Sequence, residues 1–247
     1  MLSVLKNRLE QGYRTSAYPK EDINLPAPYR GKPQINPSAP MEMITACAEI
    51  CPQDAIDIAK KTIDMGRCVF CGQCERISNG SFVTFTRKFE IATADRSHLI
   101  TDGSLPDLAN HAKTHFKKLF GRSLQLRQVS AAGCNACEAD LNVLATPFFD
   151  LARFGINFVA SPRHADAIVV TGPVSRNMKT ALIETLEATP EPRAVIAVGS
   201  CAITGGPFRD SREVTQGLDS LIPVDLFIPG CPPHPLTNLH AFLSFFK

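Results

Sequence analysis

The chain has 247 residues, 44% of them hydrophobic and 20% charged, which suits one large globular domain or two smaller ones. Its net charge of +2 is too small to argue for nucleic acid or an anionic membrane surface as a partner. No stretch reaches the roughly 18 to 20 apolar residues of a membrane span, and Lys6, Arg8 and Glu10 interrupt the opening, so no secretory leader is expected and membrane association is expected to go through other subunits.

In chain order, residues 1–12 predict a short amphipathic helix with Leu2, Leu5 and Leu9 on one face. Residues 17–40 carry six prolines, from Pro19 to Pro40; these forbid helix and central strand and predict an extended arm. Such an arm is either disordered or laid over a partner; all three tyrosines, Tyr13, Tyr18 and Tyr29, sit in or beside it, which favours the partner. Residues 81–86 and 88–93 read as short strands and 105–120 as a connecting helix ended by Gly121. From Ser123 the pattern changes. Strands are expected at 123–130, 156–160, 166–172, 193–200 and 224–230. Helices are expected at 139–152, 177–188, weakly at 212–222, and at 235–246. Apolar strands alternating with helices predict a parallel sheet covered on both faces.

Nine cysteines are present. Without a secretory leader the compartment is expected to be reducing, so disulfides are not expected and clustered cysteines read as metal or redox ligands. Five fall between residues 41 and 92. Two-cluster ferredoxins use C-x₂-C-x₂-C-x₃-C-P twice, each run's fourth Cys ligating the other cluster. The second run here is Cys68, Cys71 and Cys74, with Ser78 in the fourth place. The first aligns as Met41, Ile44, Cys47 and Cys51, followed by Pro52. Cross-ligation leaves one complete set, Cys51, Cys68, Cys71 and Cys74. The other keeps only Cys47. One [4Fe–4S] cluster is therefore expected, with Met41 and Ile44 filling the vacated space as core and Cys47 a free, buried thiol. A zinc knuckle and a three-iron cluster are the alternatives.

The remaining four, Cys134, Cys137, Cys201 and Cys231, each follow a predicted strand. In an open parallel sheet the loops at the carboxyl ends share one edge, so these thiols are expected to converge as the ligand set of a second [4Fe–4S] cluster or of a zinc ion. One C-x-x-C plus two singletons is less usual for zinc.

GCNACEAD, TGPVSRN, AVGSCAITGGPF and IPGCPPHP, in that order, resemble the small-subunit family shared by [NiFe]-hydrogenases and respiratory complex I. The resemblance covers roughly residues 123–247 and implies that Cys134, Cys137, Cys201 and Cys231 hold the cluster next to a large catalytic subunit. The split of Cys134 and Cys137 by Asn135 and Ala136 is the hydrogenase-like form; complex I-type subunits have two adjacent Cys there. Ala136 stands where close relatives carry Gly. The chain ends soon after Cys231, without the further cluster motifs of the uptake hydrogenases, which looks like the membrane-bound, energy-converting group. Residues 15–37, TSAYPKEDINLPAPYRGKPQINP, look like the opening of the ferredoxin-like subunit of formate hydrogenlyase and hydrogenase-4, here fused and reduced to one cluster.

The expected architecture is α/β: a flavodoxin-like doubly wound parallel sheet over 123–247, preceded by a Pro-rich arm at 1–40, an α+β ferredoxin-like domain at 41–95 and a connecting helix within 96–122. The resemblance implies an oxidoreductase subunit with no catalytic residue of its own. It would relay electrons through two [4Fe–4S] clusters to or from a Ni–Fe large subunit. Membrane-arm and other soluble subunits and a ferredoxin-type donor would be its further partners, on the cytoplasmic side of the inner membrane. A complex I-like quinone oxidoreductase subunit without nickel is the alternative. A zinc-stabilised scaffold with no redox role is a further rival. Among other polar residues, Glu138 and Asp140 read either as a proton relay or as an acidic first helical turn. His234 reads as a turn or interface residue, with a hydrogen bond near the cluster as the alternative. Arg163, Arg176 and Arg209 read as loop arginines, a cationic neighbour raising the cluster potential being their alternative. His98, His111 and His115 are expected at the surface.

Overall fold

The computed structural model describes residues 2–103 and 123–246. The helix expected over 105–120, with His111 and His115, lies outside them. Helix α1 (Leu2–Gln11) opens the chain, with Val4, Leu5 and Leu9 exposed.

The C-terminal part is a five-stranded parallel sheet of β6 (Leu124–Ser130), β7 (Ile156–Phe158), β8 (Ala167–Thr171), β9 (Ala194–Val198) and β10 (Leu226–Ile228), in the order β10-β9-β8-β6-β7. Counted within the domain, this is strand order 2-1-3-4-5, the flavodoxin-like doubly wound arrangement. Every residue of β8 and β9 is buried, as expected of strands covered on both faces. One face packs against α4 (Ala136–Val143) and α7 (Pro235–Phe246), through Leu141, Leu239 and Phe242. The other packs against α5 (Arg176–Glu187) and α6 (Gly199–Thr204), through Leu182, Ala202 and Ile203.

Two expected helices are shorter than their apolar pattern. The span 139–152 breaks after Val143 into turns around Pro147 and a 3₁₀ turn at Leu151–Phe154, because proline removes a backbone donor. The span 212–222 yields only a 3₁₀ turn at Leu218–Ser220, entered from Gly217 at φ 120.

The N-terminal module contains α2 (Met41–Glu49) and α3 (Gln73–Ser78). It draws in more chain than 41–95. β1 (Pro33–Ile35) pairs antiparallel with β4 (Val83–Phe85). β2 (Ile56–Asp57), β3 (Thr62–Asp64) and β5 (Ile100–Thr101) form a three-stranded sheet. Pro33 is tolerated because it starts an edge strand. Residues 88–92 form no strand; only Thr93 bridges to Phe227. The module has a small core of Ile35, Ile44, Cys47, Ile63, Phe82 and Val83. Met65 and Leu99 instead join the core beneath α5 and α6, so the two modules share buried surface.

The proline-rich arm, expected to cover a partner, packs on the chain itself. Ser16 N–H donates to the Phe148 carbonyl at 2.8 Å, and Arg153 to the Tyr18 carbonyl at 2.8 Å. Tyr18 is 6% exposed, packs edge-on against Phe89, and sets its hydroxyl 2.6 Å from His240 Nδ1 on α7. Burying such a side chain is worth about 1.5–3 kcal/mol, so Tyr18 and Leu25 pin the arm. Tyr13 stays exposed.

Candidate metal centres

The two groups of cysteines close into two separate sites. In the N-terminal module, one cavity is lined by Cys51, Cys68, Cys71 and Cys74 together with Pro52, Ile63 and Phe85. Backbone amides curl onto its sulfurs: Ala55 N–H donates to Cys51 Sγ at 3.4 Å and Phe70 N–H to Cys68 Sγ at 3.3 Å. Phe70 does so from a left-handed conformation, φ 53, a strain that persists only where the surroundings hold it. Cys47 does not line this cavity. It is fully buried in the small apolar core, and its thiol donates to the Cys74 carbonyl at 3.4 Å. Ile44 and Ser78 are buried with it, so three of the four positions of the vacated ferredoxin site are packed as core. The fourth departs from expectation: Met41 is 52% exposed, because it opens α2 on the side facing away from that core.

In the α/β domain all four cysteines lie just past the carboxyl ends of β6, β9 and β10. Burial first, and then the charges of Glu138, Cys201, Cys231 and Cys134, raise the pKa of Cys137, which places the four thiols in one electrostatic neighbourhood. Two glycines make room for them. A Cβ on Gly199, at φ 86, would stand 2.7 Å from Cys137 Sγ. One on Gly206, at φ 54, would stand 2.8 Å from Cys201 Sγ. Side chains at either place would displace a sulfur. Cys134 and Cys231 are exposed at the outer rim, whereas Cys137 and Cys201 are partly covered.

Five of these thiols are held towards the protonated form by burial. Burial pushes Cys74 up to about 12 and Cys201 up to about 11, and raises Cys68, Cys137 and Cys231 as well. A bound cation reverses this by deprotonating its thiol ligands outright. Among the described residues, no three His, Cys, Asp or Glu side chains close on the spacing of a single metal ion. Four cysteines at each site, with N–H···S donors at the N-terminal one and glycine clearance at the C-terminal one, are a donor set of the kind that iron–sulfur clusters and zinc ions take.

The neighbours of the sites separate into roles. Glu138, 5% exposed, accepts from Ser130 Oγ at 2.6 Å and from Thr171 Oγ1 at 2.7 Å, both on the same carboxylate oxygen. It thereby latches the Cys137 turn to the ends of β6 and β8. Asp140, whose carboxyl burial raises, lines a second cavity with Tyr29, Arg30, Phe70, Cys231 and His234. His234 closes its own turn by accepting from Leu236 N–H at 3.1 Å, and meets the edge of Tyr29 with ring centres 5.3 Å apart; burial lowers its pKa. Arg163 and Arg176 are exposed. Arg209 is not at the cysteines of its own domain: it donates to the Gln53 carbonyl and the Asp54 carboxylate of the N-terminal module. His98 is half-buried rather than at the surface.

The residues that join the sites were not visible in the sequence. Ser200 Oγ donates to the Cys68 carbonyl at 2.7 Å, and Thr204 Oγ1 to the Gly66 carbonyl at 3.3 Å. Val69 lines both cavities. The only local signal was a serine beside a ligand cysteine, and its partner is 132 residues away.

Known proteins bear on the C-terminal site. A family model, NADH ubiquinone oxidoreductase, 20 Kd subunit, matches residues 134–245, a span that holds Cys134, Cys137, Cys201 and Cys231. The chain is 41% identical over 130 residues to formate hydrogenlyase subunit 7 of Escherichia coli, covering 53% of this chain and 51% of that one. It is 43% identical over 124 residues to the probable membrane-bound hydrogenase subunit mbhJ of Pyrococcus furiosus, covering 50% and 74%. It is 47% identical over 116 residues to an NADH-quinone oxidoreductase subunit of Roseiflexus sp., covering 47% and 43%. The match thus spans about half of the first of these relatives and less than half of the third. Among the described residues no helix is long and apolar enough to cross a membrane. The four motif cysteines at the strand ends, the 2-1-3-4-5 sheet and these relatives agree: the chain belongs to the family of the complex I 20 kDa subunit and the [NiFe]-hydrogenase small subunit.

Proposed function

We propose that this chain is the electron-transferring small subunit of a membrane-associated [NiFe]-hydrogenase complex of the energy-converting kind. It would hold one [4Fe–4S] cluster on Cys51, Cys68, Cys71 and Cys74 and a second on Cys134, Cys137, Cys201 and Cys231. When bound, each cluster supplies a one-electron carrier. The observation that carries the reading is the direct contact between two four-cysteine sites on one chain, Ser200 against Cys68. Cysteine pairs with no redox task need no such adjacency.

The chain's own residues bind, orient and insulate. The amides of Ala55 and Phe70 donate to ligand sulfurs, which favours the reduced, more negative state and raises the potential. Glu138 fixes the turn that presents Cys137. The exposed rim at Cys134 and Cys231 is the face offered to a large subunit carrying the Ni–Fe site. The N-terminal module is the side offered to a ferredoxin-type donor or another soluble subunit. Relatives named as subunits of formate hydrogenlyase and of a membrane-bound hydrogenase support H₂/H⁺ chemistry on the partner. The second name, a membrane-bound hydrogenase subunit, supports attachment to a membrane complex; its placement on the cytoplasmic side of the inner membrane through membrane-arm subunits is part of the same proposal.

One observation favours a second reading. The NADH-quinone oxidoreductase relative is 47% identical, which supports a complex I-like subunit whose large partner lacks nickel. Anaerobic purification of the native complex separates the two. Nickel in the complex, H₂ evolution, and about eight irons and eight sulfides on this chain support the hydrogenase reading. Quinone reduction without nickel moves the assignment to the second. Zinc in place of iron overturns both.

A further inference from the structure

Helix α6 carries Cys201 and packs onto the turn that carries Cys68. Ser200, in its first turn, is 1% exposed. Its Oγ lies 2.7 Å from the Cys68 carbonyl and 3.2 Å from the Gly230 carbonyl, and its N–H donates to the Gly230 carbonyl at 2.9 Å. A hydroxyl has one proton to give, and the shorter contact, at the optimum for O–H···O, is the one to Cys68. Ser200 therefore touches three ligand-bearing segments at once. It is covalently joined to Cys201, hydrogen-bonded to Cys68, and hydrogen-bonded to the residue preceding Cys231.

We infer that Ser200 is the positioning residue that couples the two metal sites: its hydroxyl closes a bonded route from the Cys68 ligand to the Cys201 ligand and holds the two loops at that separation. This rests on the two-cluster reading above. With both clusters bound, an electron leaving one would reduce the other, so the transfer would consume no co-reactant. The surroundings support the assignment. Val69 lines both the cavity of the N-terminal cysteines and the one that holds Cys231. Gly66 admits α6 at close range, since a Cβ there would meet Ile203 Cγ2 at 2.9 Å. Ser200→Ala deletes one oxygen, adds no volume, and leaves the part-buried Cys68 carbonyl without its side-chain donor, a loss that the loops relieve by moving apart.

The test uses the full chain, purified anaerobically with both clusters. It is reduced by less than one equivalent of dithionite and freeze-quenched for EPR, and separately fully reduced to read the magnetic interaction between the two sites. S200A is expected to keep the wild-type iron and sulfide content and the g-values of each site. Its inter-site magnetic interaction weakens, and electrons redistribute between the sites severalfold more slowly. T204V removes a hydroxyl of the same helix that stands 3.2 Å from the Ser200 carbonyl and 3.3 Å from the Gly66 carbonyl; it leaves the Ser200 hydroxyl and its contact with Cys68 in place, and is expected to behave as wild type in both readouts. An iron-replete S200A with wild-type interaction and rate overturns the inference. So does a T204V that slows transfer as much as S200A, since general docking would then account for the effect. A wild-type chain with about four irons, or with zinc, overturns the two-cluster reading itself before any variant is compared.

Discussion

Replacing Cys47 by alanine and Cys51 by alanine separates the packed thiol from the ligand thiol, although the two stand on the same short stretch. Cys47 is fully buried among Ile35, Ile44, Ile63 and Phe82, and its polar contacts are a weak S–H donation of 3.4 Å to the Cys74 carbonyl and a side-chain contact with Ser78. Cys47→Ala removes a single heavy atom from a closed core, comparable to an Ile→Val change, and costs about 1 kcal/mol. For a chain of this size that lowers the melting midpoint by about 3 °C and leaves both metal sites filled. Cys51 lines the cavity with Cys68, Cys71 and Cys74. Cys51→Ala leaves three sulfurs around the same space, and the expected product is a three-iron centre or an empty N-terminal site. Iron and acid-labile sulfide per chain, EPR after dithionite, and a thermal scan of each variant are the assays. If C47A sheds iron as C51A does, Cys47 is a ligand and the cross-ligation assignment of this module is wrong.

Three further outcomes follow from the same geometry. Gly199→Ala would place a methyl 2.7 Å from Cys137 Sγ at a backbone φ of 86; it is expected to empty the C-terminal site while the N-terminal EPR signal persists, and full iron content in G199A would refute the cradle. Glu138→Ala leaves the Ser130 and Thr171 hydroxyls without their acceptor and is expected to cost about 1–2 kcal/mol. Glu138→Gln keeps an acceptor oxygen and is expected to retain near-normal stability and electron transfer, so an inactive but stable E138Q would instead assign Glu138 to proton relay. The iron-free chain is expected to lose stability in alkali. Cys201 and Cys74 sit above their ordinary 9.0, at about 11 and about 12. Between those values the unfolded state holds fewer protons than the folded one, so stability is full below pH 9 and declines as pH rises towards the folded values. Denaturant titrations from pH 7 to 10 on chelator-stripped protein would read this, and a flat profile would contradict it.

The sheet was legible in the sequence because its information is local. Ile168–Val170 and Val195–Val198 are continuous apolar runs, which only a strand covered on both faces explains, and the loops that follow strands at one edge bring Cys134, Cys201 and Cys231 together without knowledge of any side chain. The N-terminal module was legible in its ligand spacing but not in its extent. β1 and β5 are three and two residues long, too short to leave a period, and both gain their pairing from segments tens of residues away. The arm's conformation followed from its prolines, but its docking surface did not. Tyr18 and Tyr29 mark an arm that must cover something, and composition is silent on whether that is another protein or, as found, α7 of the same chain. Met41 was misplaced because alignment to a ferredoxin run gives a position in a motif and not a direction on a helix.

The contact between the modules was the least legible part, and Gly66 shows why. A glycine after Met65 in a cysteine loop reads as a turn residue, yet no left-handed φ is found there. Its backbone is one that any residue could adopt, so conformational freedom does not explain it. Space does: a Cβ would stand 2.9 Å from both Ile203 Cγ2 and the Arg96 guanidinium carbon. Arg96 is itself held by Asp64 at 2.7 Å, so it has little freedom to withdraw. Any side chain at position 66 would wedge α6 away from the Cys68 turn and lengthen the Ser200 contact. The separation of the two sites is therefore set by the absence of a side chain, and by a neighbour 137 residues along the chain that no local pattern announces.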